Sequence, residues 1–170
     1  VTGAAGAIGQ AICASLAANG AKVVFADINL EGAQKLAAAT PGAMALRMDV
    51  TSEAEIESAM NEIIAAHGRL DILVNNAGIN TMAHRVNIDE FPAEEWDRVL
   101  RVDLTGLFLV SKAASRHMLA RKAGRIINIS SVMGLVPARL QCAFTAAKAG
   151  VVNLTRTMAI ELGSQGILTN

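Results

Sequence analysis

A chain of 170 residues with 52% hydrophobic side chains suits one domain, residues 1–170, with a sizeable core. Its mean hydropathy of +0.39 excludes a disordered chain. Lys+Arg and Asp+Glu balance at 15 each and aromatics reach only 3%, which excludes the basic field and stacking platforms of a nucleic-acid binder and the basic field of a membrane-surface protein.

The predicted elements alternate strand and helix along the chain. Val1-Thr2 reads as the remnant of a first strand, too short to stand alone in a sheet. A glycine-rich turn follows, then a helix over Ile8–Asn19. Gly20 stops that helix, and Lys22–Asp27 is a β-rich run. Leu30–Ala39 reads as a helix, Ala43–Met48 as a weaker strand and Ser52–His67 as a helix. Ser52 and Glu55 have capping-box spacing, in which each side chain satisfies the other residue's backbone N–H. Leu70–Asn75 and Arg125–Ser130 are the stronger strands. Pro92–Arg121 and Ala143–Leu162 read as long helices, with Pro92 in the first turn. Ile167 to Asn170 reads as the start of another strand, so trimming is expected at both ends. The longest irregular stretch, Ala77–Phe91, has the length of a functional loop. The alternation predicts βαβ units, a doubly wound parallel sheet of the Rossmann type and a three-layer α/β/α sandwich.

Other features narrow the class. Cys13 and Cys142 are too few for a disulfide framework and fit a reducing, cytoplasmic compartment. No secretory pattern opens the chain, and no apolar run is long enough to span a bilayer. Three histidines without ligand spacing predict no metal site, and His67 and His117 read as surface residues on helices. The methionines read as core filler.

Thr2 to Gly9 (TGAAGAIG) lies between a strand end and a helix start. Glycines there let the backbone approach a pyrophosphate, and the helix that follows offers free N–H groups and a positive dipole end. Such a turn could equally be a plain helix-start loop. Asp27, eighteen positions after Gly9 at the end of the next strand, supports the nucleotide reading. A carboxylate there can accept from an adenosine ribose and repels a 2′-phosphate, which favours NAD over NADP.

The chain resembles the short-chain dehydrogenase/reductase family from Thr2 to Asn170. Gly3 and Gly9 match its glycine turn, with Ala7 at the middle glycine and Ile8 beside it. Asn75-Asn76-Ala77-Gly78 matches its Asn-Asn-Ala-Gly signature, and Ser131 and Lys148 match its active-site serine and lysine. The resemblance implies that Asp49, followed by Val50, reaches the adenine ring. It implies that Asn75 ties strand ends together, and that Asn76, Ala77 and Gly78 frame the cofactor. It further implies that a tyrosine phenolate removes the alcohol proton, that a lysine four residues later lowers the phenol pKa and holds the ribose, and that a serine meets the substrate oxygen. An asparagine in the preceding helix holds a water that reaches the lysine.

Two of these four positions depart from the family pattern. Phe144 stands at the tyrosine, with no tyrosine anywhere in the chain, and Asp103 stands at the asparagine. Phenylalanine keeps the ring and removes an acid/base group of a kind that contributes roughly 10²–10⁴ in rate. The chain could carry an engineered change, use another base, or bind NAD without catalysis. The paired change at Asp103 weighs against a single engineered substitution. Asp103 could take the proton together with Lys148 and a water, or simply neutralise Lys148, the plainer role. His84 and Arg85 in the long loop, and Arg139 and Gln141 before Phe144, are further candidates for substrate contact. Cys142 lacks a visible histidine partner for nucleophilic work.

The expectation is therefore an NAD-dependent oxidoreductase acting on a small-molecule secondary alcohol or ketone, such as a polyol, a sugar acid or a 3-oxoacyl compound, with weakened acid/base chemistry. The alternative is an inactive NAD-binding family member with a regulatory or scaffolding role. Apolar surface on the two long helices, with the resemblance, implies a homodimer or homotetramer.

Overall fold

The computed structural model describes residues 1–81 and 83–170. Five strands are present among them: β1 (Val24–Asp27), β2 (Met44–Arg47), β3 (Ile72–Asn75), β4 (Gly124–Asn128) and β5 (Ile167–Thr169). All pairings are parallel. Val24 lies opposite Met44 in β1–β2, Ile72 opposite Arg125 in β3–β4, and Gly124 opposite Ile167 in β4–β5. Val1 and Thr2 run between the two groups. Thr2 bridges Ala26 of β1, and its N–H donates to Val74 O of β3 at 3.0 Å. The order across the molecule is thus β2, β1, Val1–Thr2, β3, β4, β5.

Side chains alternate across this sheet, as the two-residue period of a strand requires. Val23 and Phe25 face one side, where α1 (Ala7–Ala18) and α2 (Leu30–Ala38) bring Cys13, Ala33 and Ala37. Ala26, Leu46, Leu73, Ile126 and Ile167 face the other. There they meet Ile56, Met60 and Ile63 of α3 (Glu53–His67), Val110, Ala114 and Met118 of α5 (Leu107–Arg121), and Met158 of α6 (Cys142–Gly163). The sandwich is therefore α/β/α, of the doubly wound Rossmann type. A third cluster packs Val99 of α4 (Ala93–Leu100) against Ala143 and Ala147 of α6, with Phe144 beside it.

The structure departs from the sequence reading in four places. First, the predicted helix over 92–121 is not continuous. It divides into α4, a π-helical stretch at Arg101–Gly106, and α5. The widened turn carries Asp103 and Gly106, both buried. Second, Pro92 is the N-cap in an extended conformation, with ψ 133, rather than a first-turn residue.

Third, the capping box is only half formed. Ser52 Oγ accepts from Glu55 N–H, but Glu55 turns its carboxylate to Asp49 N–H and to Arg47, and Ser52 N–H donates to Asp49 O. A cation and a second backbone donor outcompete the single local bond. Fourth, His67 and His117 are half-buried rather than plainly on the surface. Met48, Met60, Met118 and Met158 are core residues as expected, while Met82 lies outside the described residues.

Ile126, at 0% exposure in the middle of β4, is the natural probe of this core. Ile126→Ala is expected to lower unfolding stability by about 2–5 kcal/mol. Ile160→Ala, at a position 82% exposed, should change it by no more than about 0.5 kcal/mol. Urea unfolding followed by circular dichroism compares them, and equal losses would contradict the packing described.

Candidate active site

Parallel strands place all their carboxyl ends on one edge, and the loops leaving that edge form a groove of about 640 Å³. Its lining includes Gly3, Ala7, Ile8 and Gly9 from the turn and the start of α1, Asp27 from the end of β1, and Asp49 and Val50 from beyond β2. Asn76, Ala77 and Gly78 line it from beyond β3. Ten residues suggested by sequence for cofactor binding thus meet in one place. The eleventh, Lys148, lies just behind Gly78.

The turn is built for close backbone approach. Gly3 has φ +61, and a Cβ on it would sit 2.8 Å from Ala77 Cα. A Cβ on Gly9 would run into the Gly3 carbonyl and stand 2.9 Å from Asn76 Nδ2. Ala7, in contrast, is the exposed first residue of α1, so its methyl points away from packed atoms. Asp27 braces the turn. Its Oδ2 accepts from Ala5 N–H at 2.8 Å and its Oδ1 from Asn29 N–H at 2.9 Å. Each oxygen retains a lone pair for a further donor. Asp49 Oδ1 accepts from Thr51 N–H and Thr51 Oγ1, both at 2.8 Å.

Two asparagines do different work. Asn76 Nδ2 donates to Thr2 O at 3.1 Å and Gly3 O at 3.0 Å, while Thr2 Oγ1 accepts from the Asn76 and Ala77 N–H groups. Asn75 lies in a buried ladder. Its Nδ2 donates to Ser111 Oγ at 2.8 Å and Asn128 Oδ1 at 2.9 Å, and Asn128 Nδ2 donates to Thr155 Oγ1 at 2.9 Å. The strand-tying role assigned to Asn75 is therefore shared among five residues on α5, β3, β4 and α6 and in the Thr2 turn. Thr2, Ser111, Asn128 and Thr155 were not singled out by sequence. Asn128 could have been, as an amide inside the buried run Arg125–Ser130.

The residues expected at a reaction centre lie at the next strand end. Ser131 follows β4 with extended backbone, and its Oγ accepts from Met133 N–H at 3.2 Å, which leaves its own proton available to a substrate oxygen. Phe144 and Lys148 share a face of α6, and Lys148 Nζ stands 5.4 Å from the centre of the Phe144 ring. That ammonium donates to Ile129 O at 3.3 Å and lies 3.1 Å from Asp103 Oδ2. The pair is sealed, with side-chain exposures of 8% for Lys148 and 0% for Asp103.

Asp103 Oδ1 accepts from Ile79 N–H at 2.7 Å, so the π turn aims this carboxylate at both the loop and the lysine. Burial pushes the Asp103 carboxyl above the ordinary range, against the opposing pull of Lys148 and Ile79 N–H. Gly78 roofs the pair, since a Cβ there would lie 3.2 Å from Asp103 Oδ2 and 3.4 Å from Lys148 Nζ.

The long loop is tied down on both sides. Asn80 Nδ2 donates to Gln141 Oε1 at 2.8 Å, and Gln141 is buried at the start of α6, next to Leu140 with φ 61. Glu95 on α4 binds Arg98 through both oxygens, at 2.7 and 2.8 Å, and this holds its carboxyl down to about 2. His84 Nδ1 stands 4.0 Å from the same carboxylate. Gln141 and the hydrogen bond between Thr81 and Glu95 thus hold the loop, while His84 Nδ1 makes no hydrogen bond among the described residues. Arg139 is exposed and Cys142 half-buried. Among the described residues, no group of three or more His, Cys, Asp or Glu could hold a metal ion, and no helix is long and apolar enough to cross a membrane.

The raised Asp103 carboxyl has a signature in stability. A native group that holds its proton more tightly than the unfolded chain favours folding at low pH and loses that contribution as pH rises through the raised native value. The parent is therefore expected to lose stability relative to Asp103→Asn as pH rises above the ordinary aspartate range of about 4. Urea midpoints measured across that rise check it, and a difference independent of pH would contradict it.

The comparisons with known proteins agree with this geometry. The profile for short chain dehydrogenases matches residues 1–170. Cis-4-hydroxycyclohexanecarboxylate dehydrogenase of Sinomonas cyclohexanicum is 42% identical over 174 residues, covering 100% of this chain and 69% of that protein. The 3-oxoacyl-acyl-carrier-protein reductase FabG of Escherichia coli strain K12 is 39% identical over 171 residues, with the same coverage of 100% and 69%. A solved structure from Brucella melitensis 16M, named as a ribose-5-phosphate isomerase, has a TM-score of 0.94 at 40% identity and covers 100% of this chain and 64% of that one. Its name differs in activity from the other two, so that likeness speaks for the fold. The chain thus spans 64% to 69% of the length of these proteins. With a family match that runs from end to end, the chain belongs to the short chain dehydrogenase family.

Proposed function

We propose that this chain is the nucleotide-binding and catalytic portion of an NAD-dependent oxidoreductase that interconverts a small secondary alcohol and its ketone, with a weakened acid/base step. The observation that carries the reading is the groove of about 640 Å³ at the strand ends, lined together by the glycine turn, the start of α1 and the Asp27 carboxylate. When bound, the nicotinamide supplies the hydride chemistry.

The chain's own residues bind and orient. The free N–H groups at the start of α1, with Ala7 and Ile8 at the groove wall, face the phosphates. Asp27 offers carboxylate lone pairs to the ribose hydroxyls, and no lysine or arginine lines the groove among the described residues to pair with a 2′-phosphate. Asp49 and Val50 flank the adenine end, and Asn76, Ala77 and Gly78 flank the other. Ser131 donates its hydroxyl proton to the substrate oxygen. Phe144 supplies a ring surface but no proton acceptor, which separates orientation from proton transfer.

Substrate classes consistent with the relatives are alicyclic hydroxy acids, polyols and 3-oxoacyl compounds. Exposed Phe108 on α5 and Ile160 on α6 support association of these helices with a second copy, as a dimer or tetramer. The balanced charge supports a cytoplasmic enzyme with neither nucleic acid nor membrane as partner. A second reading, a non-catalytic NAD-binding protein, is favoured by Phe144 alone.

NADH formation over a panel of secondary alcohols, polyols and hydroxy acids separates the two. The full-length parent is expected to turn over slowly, and Phe144→Tyr/Asp103→Asn to exceed it by roughly 10²–10⁴. No turnover in either protein would favour the non-catalytic reading. A parent as fast as the variant would show that another base acts.

A further inference from the structure

Asp103 and Phe144 sit on different elements, the π turn and α6, yet both address Lys148. Asp103 Oδ2 is 3.1 Å from the ammonium, and the Phe144 ring centre is 5.4 Å from the same group. Both charges of the ion pair are out of water, so solvent does not screen either of them. The field of a cation with a contact carboxylate falls off as that of a dipole. At the ring, the carboxylate therefore opposes the field of the ammonium.

We propose that Asp103 is a positioning residue that cancels the Lys148 charge, and that Asp103 and Phe144 are a matched pair: a neutral centre around a ring with no group to ionise. This rests on the oxidoreductase reading given above and deepens it, because it names what else must change before a hydroxyl at position 144 could work as a base.

The surroundings leave Asp103 in control of the local charge. From α4, Arg98 approaches Asp103, but Glu95 holds Arg98 through both oxygens, and that second pair is also neutral. From the loop, Asp103 receives Ile79 N–H, while His84 faces Glu95. From the strand end, Lys148 meets only the uncharged Ile129 O, and Ser130 Oγ donates to Lys148 O. Gly78 roofs the pair and adds no charge. Arg139 is exposed beyond Ser131.

An unopposed cation within contact range lowers the pKa of a nearby acid by about 1–3 units. A phenol introduced at position 144 would lie within a few ångströms of Lys148. With Asp103 in place it should not receive that benefit, and burial alone would push its ionisation upward. Replacing Asp103 with a neutral residue of the same shape should release it.

The test reads protonation directly and does not require turnover. Tyrosine labelled with ¹³C at the phenol carbon is incorporated into full-length Phe144→Tyr and Phe144→Tyr/Asp103→Asn. The chain has no tyrosine among these 170 residues, so the resonance gained over the labelled parent is the introduced phenol. Its shift is followed against pH. The ionisation constant is expected to be at least tenfold larger in the double variant than in the single one. Phe144→Tyr/Asp103→Ala removes the same carboxylate with less bulk and should move in the same direction, which keeps the test decisive if one double variant folds poorly.

Equal ionisation constants in the single and double variants would overturn the proposal, as would a larger constant in the single variant. Failure of the oxidoreductase reading looks different: the phenol titrates as expected while no alcohol yields NADH.

Discussion

The sheet is held together at one seam. Among the described residues, β1–β2 on one side and β3–β4–β5 on the other are joined by hydrogen bonds through Val1 and Thr2, the bridge from Thr2 to Ala26, and the bonds that Asn76 and Ala77 make to the Thr2 turn. Closing that seam requires Gly3 and Gly9 to be bare, because Ala77, Asn76 and the Gly3 carbonyl occupy the space where side chains would go. Gly3 and Gly9 also line the groove at the carboxyl edge. Sheet closure and the groove wall thus depend on the same few residues, and the rest of the site is arranged around them.

Next to the seam lies a second constraint of the opposite kind. Asp103 and Lys148 are buried polar groups that are tolerable only together, since removing one leaves the other uncompensated. The π turn at Arg101–Gly106 brings the carboxylate to the lysine, and Gly78 makes room above them. This widened turn interrupts a long helix and gives up regular hydrogen bonding, a cost expected where a helix has to aim one side chain. The consequence is a centre whose lysine is already engaged, beside a ring that cannot ionise. On the function proposed above, affinity for a cofactor and capacity for proton transfer become separable in this chain.

Much of this was legible in the sequence, for physical reasons that differ by residue. The strand and helix rhythm followed from apolar periodicity, and the strand bounds differ from it only at the ends. Gly3 and Gly9 were legible as a tight turn that a plain helix start could also use, and the strand-end position of Asp27 is what favoured the nucleotide reading. Phe144 and Asp103 stood out only against the pattern of a family. The π turn was not legible, because Arg101–Gly106 has helical composition, and only the tertiary demand of Lys148 and Ile79 N–H widens it. Glu55 was misread for a similar reason. Local spacing proposed a bond to Ser52, while Arg47, adjacent only in the folded chain, took the carboxylate. The Ser111–Asn75–Asn128–Thr155 ladder also joins residues far apart in sequence, and no local signal marks its two ends, Ser111 and Thr155.

Cofactor binding, measured apart from turnover, bears most directly on the claim that nucleotide recognition is intact while proton transfer is altered. Titration calorimetry of the full-length parent with NAD⁺ and with NADP⁺ should give saturable binding of NAD⁺, at least tenfold tighter than NADP⁺, because the groove wall offers the ribose the Asp27 carboxylate and, among the described residues, no lysine or arginine. Absence of NAD⁺ binding, or a preference for NADP⁺, would contradict it.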